Sequence, residues 1–408
     1  MTKELKVLGA FIFTGSATIG VMQNGVKVDK VLELTDGMPE DNAKSFIHNY
    51  PEIPVVIPSV WDTPEYLEEL KKEEYDFLYA NPPCSGLSLG APGKQSHEKG
   101  PNCHMYTYMR LIDTIKPKAF MFENAPTLVS TGKPILNDYV QQLKDYNFTV
   151  IRDFGMYHGV AMKRQRTFLM GWRKDVFNEI PVLHMDKQPT VTVEDVIGDL
   201  YDVELGSVTN HDYIPNRPFQ EIEWIFPEVP VVKSGIYTAH WVICNNWEKY
   251  SPMLSEKYKK SIATQLYKQN HGLGYWDKSA QRVDKNGQAP SLTGYSCFIH
   301  PVHNRQFTVL EYKRLMGYPD TFEILETKVG KDMVRHIAQG VPAPFYKYAS
   351  GEVLAALRGE RTETYGKETE VVFQHHGKEV AYTFTKESFV EEPKIGNLDK
   401  KLGQKLTK

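Results

Sequence analysis

Cys84 is the residue that this sequence sets up most clearly for chemistry. It stands in Asn81-Pro82-Pro83-Cys84-Ser85-Gly86, directly after the apolar run at 75–80. That run reads as a short buried strand, and two prolines forbid its continuation. A thiol at the carboxyl edge of a buried strand sits where open α/β sheets gather their ligands. As a thiolate it is a nucleophile; the turn alone equally suits a cysteine packed as a small hydrophobe. Glu123, in Phe122-Glu123-Asn124, ends another strand-like run and is a candidate proton or hydrogen-bond donor. Its plainer alternative is a capping acid before Ala125-Pro126. Arg164 and Arg166 alternate in Lys163-Arg164-Gln165-Arg166-Thr167-Phe168, so on a regular strand both point to one face. A solvated basic edge strand is the alternative, for Arg166 above all. Phe13, Thr14 and Gly15 form a turn that lets a ligand approach the backbone, and Glu33 ends the next strand.

These residues need a sheet to hold them, and the chain alternates strand-like and helix-like segments. Strands are expected at 7–13, 28–34, 55–57, 75–80, 119–122, 148–153 and 167–171, with helices at 39–49, 64–72, 105–115 and 135–146. The alternation predicts an α/β fold, a mostly parallel sheet with helices on both faces. From about residue 190 to 280 the rhythm becomes irregular and aromatic, with Trp224, Phe226, Tyr237, Trp241, Trp247, Tyr250, Tyr267, Tyr275 and Trp276. Lys257, Lys259, Lys260, Lys268, Lys278, Arg282 and Lys285 follow closely. Cations among aromatics suit a surface that grips a polyanion; a small aromatic core with a solvated lysine face fits the same pattern. Residues 332–357 read as a closing helical segment entered through Pro342 and Pro344. Beyond it, 370–384 suits a hairpin around Gly377, and the stretch from Glu391 reads as flexible.

Composition narrows the class. The 408 residues carry 41% hydrophobic and 24% charged side chains, enough for a large domain plus a smaller one. Four cysteines (Cys84, Cys103, Cys244, Cys297) without CxxC spacing argue against a disulfide scaffold or structural zinc. Cys103-His104 with His97 lacks a second ligand pair, so no metal is expected. The amino terminus lacks a signal-peptide pattern, and no run is long enough for a membrane span. A net charge of −3 neither announces nor excludes a nucleic-acid partner.

Five segments, taken together and in order, resemble the cytosine-5 DNA methyltransferases: the Phe11-Ile12-Phe13-Thr14-Gly15 turn, Pro82-Pro83-Cys84, Phe122-Glu123-Asn124, the Arg164/Arg166 segment, and the run from Arg305 to Asp320. The resemblance covers about residues 8–357. It implies a Rossmann-like, S-adenosylmethionine-dependent methyltransferase fold with a smaller, irregular DNA-recognition domain. The implied division is 1–189 catalytic and cofactor-binding, 190–304 target recognition, 305–358 a segment returning to the catalytic domain, and 359–408 a charged extension. Carbon 5 of cytosine is a poor nucleophile, and a thiolate adding to carbon 6 makes it enamine-like. In the resembled family that thiolate corresponds to Cys84, and Glu123 engages N3 as charge develops. Arg164 and Arg166 would hold the base and the catalytic loop. The donor, S-adenosyl-L-methionine or a modified form of it, would lie against Phe13, Thr14, Gly15, Ser16, Glu33, Asn81, Pro82, Gln339 and Val341. Asp62 or Ser59 is a candidate for the adenine contact. The implied substrate is double-stranded DNA from which the cytosine is flipped, with the loop at 87–102 as a lid. The implied setting is the cytoplasm of a bacterial or phage-infected cell, as a monomer without a membrane partner. A cognate restriction endonuclease is a candidate partner.

Four places depart from the family pattern. Ser16-Ala17-Thr18 replaces further glycines, Ala125-Pro126 follows Glu123-Asn124, and Met162 replaces a glutamine. Gln339 stands where asparagine is usual. These suggest a divergent member of the kind that phages or mobile elements carry, and a donor pocket reshaped for a group larger than methyl. A tRNA cytosine-5 methyltransferase and an inert DNA-binding relative are the competing readings. The long insertion disfavours the first, and intact Cys84 and Glu123 disfavour the second.

Overall fold

A computed structural model describes residues 4–33, 40–87, 100–214, 219–231, 238–271, 280–294, 296–326, 330–375 and 380–391. Residues 88–99 of the lid expected at 87–102, with His97, lie outside the described residues, as do Leu34, Tyr237, Tyr275, Trp276, Lys278, Gly377 and 392–408. The side chain of Lys268 does too.

Strand β1 (Val7–Ala10) lies between β2 (Lys30–Leu32) and β4 (Phe77–Ala80), with β3 (Val55–Val56) beyond β2 and β5 (Ala119–Asn124) beyond β4. All five are parallel, and β1, β4 and β5 are buried throughout. That is why they read as continuous apolar runs rather than alternating ones. Strands β6 (Tyr146–Phe154) and β7 (Gln165–Arg173) form an antiparallel pair, and β7 also runs antiparallel to β5. The sheet is therefore mixed at this end. Only the short connection at 155–164 joins β6 to β7, and parallel strands need a longer crossover.

The chain forms two units. One comprises Met1–His158, Gln165–Pro189 and Gly340–Lys408; the other comprises Gly159–Arg164 and Thr190–Gln339. The segment 305–358 is thus divided at Gly340. The closing helical segment expected at 332–357 consists of two helices, Gly330–Gln339 and Ala343–Leu357. Pro342 offers no N–H to continue the first, and Pro344 is tolerated because it lies in the first turn of the second.

In the second unit the aromatic segment is more regular than its sequence suggested. A 3-10 stretch (Gln220–Glu228) and helices Ala239–Asn245 and Glu256–Asn270 close around Ile225, Phe226, Ile243 and Ile262. Trp224, Trp241 and Trp247 pack on that core. Strands β8 (Gln281–Arg282) and β9 (Phe298–Ile299) form a short parallel pair. Arg282 is not a surface cation. It is 7% exposed and donates to the carbonyls of Val229, Phe226, His300 and His303 and to Asn304 Oδ1.

In the first unit the tail enters the main sheet. Strand β10 (Val371–His375) pairs in parallel with β6, and β11 (Val380–Phe384) returns antiparallel to β10. Helix Lys386–Glu391 then buries Phe389 completely.

Candidate active site

Parallel strands bring their carboxyl ends to one edge. Along β2, β1, β4 and β5 that edge carries Glu33, the turn at 11–15, the turn at 81–84, and Glu123-Asn124. The backbone N–H of Asn81 donates to Ala10 O at 3.2 Å and that of Phe11 to Leu32 O at 2.9 Å, so the turns are fastened to neighbouring strands. Tyr346 Oη donates to Ala80 O at 3.0 Å, the last carbonyl before the Cys84 turn. Burial pushes the Tyr346 hydroxyl well above its usual range and keeps it a donor.

Cys84 is half-buried and packs against the core of this unit; its carbonyl accepts Leu87 N at 2.9 Å, closing a turn. On β5, Glu123 is 2% exposed. Its Oε1 accepts from Asn81 Nδ2 at 2.9 Å, and its Oε2 lies 3.0 Å from Arg166 Nε. A carboxyl gripped from two sides keeps one orientation. Asn124, fully buried, donates from Nδ2 to Pro82 O at 3.2 Å while its Oδ1 accepts Ala125 N at 2.9 Å. That amide ties the end of β5 to the Cys84 turn. Sequence reasoning missed it; the signal was an amide right after the strand-ending acid.

The arginine pair divides. Arg166, on β7, reaches Glu123, as a site residue should. Arg164 lies in the second unit, 2% exposed, and donates to Leu292 O at 2.6 Å and Ala338 O at 2.7 Å. It also lies outside the strand, because its N–H turns back onto Met162 O at 2.9 Å. The expectation that both arginines share a strand face therefore fails: alternation presumes extended backbone, and the chain bends there.

The turn at 11–15 is tightly wound. Phe11 and Phe13 have φ of 57° and 52°, and Gly15 has 97°. A Cβ on Gly15 would also lie 2.3 Å from the Phe46 ring, so glycine is required on both counts. Thr14 and Ser16 are buried. Among the described residues Ser16 Oγ has no hydrogen-bond partner, and it faces Gly340, where a Cβ would come within 2.0 Å of it. Glu33 is 2% exposed, and its carbonyl accepts Trp61 Nε1 at 2.7 Å. Of the two adenine candidates, Asp62 is engaged by Arg110 at 2.8 Å and Ser59 is exposed on helix Pro58–Trp61. Asn81 and Pro82 are buried. Val341 is fully buried in the first unit, whereas Gln339 ends its helix half-buried in the second.

A family model for C-5 cytosine-specific DNA methylases matches residues 17–354. The chain belongs to this family. The methylase is similar to the Type II methyltransferase M.XorII of Xanthomonas oryzae pv. oryzae, 27% identical over 346 residues, covering 76% of each chain. Type II methyltransferase M1.HgaI of Avibacterium volantium is 25% identical over 352 residues, covering 79% of this chain and 91% of its own. A prophage-encoded E. coli structure, described as a DNA modification methyltransferase, superposes with a TM-score of 0.57. It is 20% identical and covers 87% of this chain and 99% of its own, a likeness of fold. The methylase is an enzyme of the DNA (cytosine-5-) methyltransferase class with the α/β fold of S-adenosylmethionine-dependent methyltransferases. No described helix is long and apolar enough to cross a membrane.

Proposed function

We propose that this methylase modifies carbon 5 of a cytosine flipped out of duplex DNA, with Cys84 as the attacking thiolate. The observation that carries the reading is the grip of Asn81 and Arg166 on Glu123, one strand away from the Cys84 turn and tied to it by Asn124. The Cys84 Sγ–C6 bond forms while Glu123 hydrogen-bonds N3, and the displaced pair makes carbon 5 nucleophilic. Once carbon 5 carries its new substituent, its proton leaves to water or hydroxide. The Sγ–C6 bond then breaks and the ring double bond returns. Arg166 holds Glu123 in place; Arg164 supports the second unit.

The residues along the strand edge fit S-adenosylmethionine. The left-handed turn at 11–15 lies at the carboxyl edge of the sheet, and the buried Glu33 carboxyl at the end of β2 suits two ribose hydroxyls. Phe13, Thr14, Gly15, Ser16, Glu33, Asn81, Pro82 and Val341 of the first unit would hold it, and when bound it supplies an electrophilic methyl group. A modified donor giving a larger substituent is the second reading. Gln339, standing where asparagine is usual in the resembled family, is what supports this reading. The target-recognition role belongs to 190–304 in this reading, and the enzyme acts as a monomer in the cytoplasm, with a cognate endonuclease as a candidate partner.

Nucleoside mass spectrometry of duplex DNA incubated with enzyme and S-adenosylmethionine tests the proposal. Appearance of 5-methylcytosine is expected. A heavier 5-substituted cytosine in DNA from expressing cells points to the second reading. Modified tRNA with unmodified duplex refutes the DNA assignment.

A further inference from the structure

Helix Glu256–Asn270 of the second unit has two unlike faces. Ser255 caps it by accepting Tyr258 N at 3.2 Å. Tyr258 and the buried Ile262 dock it on the unit's core, and Tyr258 Oη lies 3.2 Å from His240 Nε2. The other face is a stripe of exposed residues at alternating three- and four-residue spacing: Lys257, Lys260, Thr264, Tyr267 and His271. That spacing puts them on one side of a helix. Tyr267 is 56% exposed, and its ring stacks on His271 at 4.0 Å. An aromatic pair left in water at the end of a cationic stripe contributes little to the fold it belongs to.

Several other cations of this unit are already engaged, though the exposed Lys163 and Arg335, like the stripe's lysines, are in no ion pair among the described residues. Arg282 holds backbone carbonyls, Arg305 pairs with Glu311, and Arg314 pairs with Asp199 and Asp320. Lys249, Lys259 and Lys285 face Glu228, Glu256 and Glu194. Lys257 and Lys260 take part in no ion pair among the described residues.

We propose that the 257–271 face of this helix is the groove-facing element of the recognition unit, with Lys257 and Lys260 on phosphates and the Tyr267–His271 pair on the bases beyond. The inference rests on the DNA reading above and adds to it the contact surface. Its occupant is duplex DNA, by charge complementarity and the family's substrate. Fifteen residues make a rod of about 22 Å, and a major groove about 12 Å wide admits one helix.

The test is the salt dependence of duplex binding by the full-length protein, using DNA that carries the modified site. Each lost phosphate contact flattens the slope of log K against log salt by about 1. Lys257→Gln/Lys260→Gln is expected to flatten it by about 2, with the melting temperature unchanged because both side chains are exposed. Tyr267→Ala is expected to weaken binding roughly fivefold or more at constant slope. An unchanged slope in the lysine variant, or unchanged affinity in Tyr267→Ala, overturns the assignment while leaving the DNA reading intact. Wild-type protein that binds tRNA but no duplex overturns both.

Discussion

Gly340→Ala should disrupt this enzyme through a single atom, and Ser16→Ala should repair it. A Cβ at position 340 would lie 2.0 Å from Ser16 Oγ and 3.3 Å from Ser16 Cβ. Ordinary contact begins at roughly 3.4 Å, so about 1.4 Å must be found, either by moving Ser16 or by moving the backbone at 340. Both residues are fully enclosed, and overpacking of this kind costs about 1–3 kcal/mol. For a unit of this size that is a fall of roughly 2–10 °C in melting temperature. Ser16→Ala alone removes a buried hydroxyl with no partner among the described residues and is expected to be neutral or stabilising by up to about 1 kcal/mol. In the double variant only the 3.3 Å Cβ contact remains, which a few tenths of an ångström relieve. The four proteins form a mutant cycle, read by thermal melting and by calorimetric affinity for S-adenosylmethionine. The expected result is a coupling of about 1 kcal/mol or more that restores both readouts. Additive effects, with the double variant as unstable as Gly340→Ala, would refute the packing argument.

Other expected outcomes follow from the same geometry. Asn124→Ala frees the Pro82 turn and should lower kcat by about 10²-fold in steady-state kinetics at a temperature where the variant is folded, with a stability loss of about 1–3 kcal/mol. Phe389→Ala should destabilise by about 3–5 kcal/mol, and truncation after Arg358 should abolish cooperative melting, because the tail fills the core of the first unit. Burial pulls Lys313 down to about 8 from its usual 10.5. Between those values the unfolded chain binds the proton and the folded chain does not, so stability rises with pH across that window. Lys313→Met should remove that rise, worth at most about 3 kcal/mol, in urea titrations at pH 7.5 and 10.5.

The strands carrying the site were readable because they are buried on both faces and appear as unbroken apolar runs. Cys84, Glu123 and Gly15 were readable because prolines, a strand-ending acid and a glycine turn mark strand ends in any sequence. Arg164 was misplaced because spacing cannot reveal a backbone bend at Met162. Arg282 was counted among surface cations because composition does not say whether a guanidinium meets phosphates or five internal acceptors. The path of β10 beside β6 is a non-local pairing, and nothing in residues 371–375 names its partner strand. Asn81 was read as a donor contact, yet its amide is aimed at Glu123; only the sheet order brings the ends of β4 and β5 together.

The central claim is that Cys84 adds covalently to cytosine. Duplex DNA with 5-fluorocytosine at the modified position, incubated with enzyme and S-adenosylmethionine, blocks the final loss of the C5 proton and so traps the adduct. A protein–DNA band that survives denaturing electrophoresis, and is absent with Cys84→Ser, is expected. No adduct from wild-type protein that binds the same duplex, or an adduct that persists in Cys84→Ser, would contradict it.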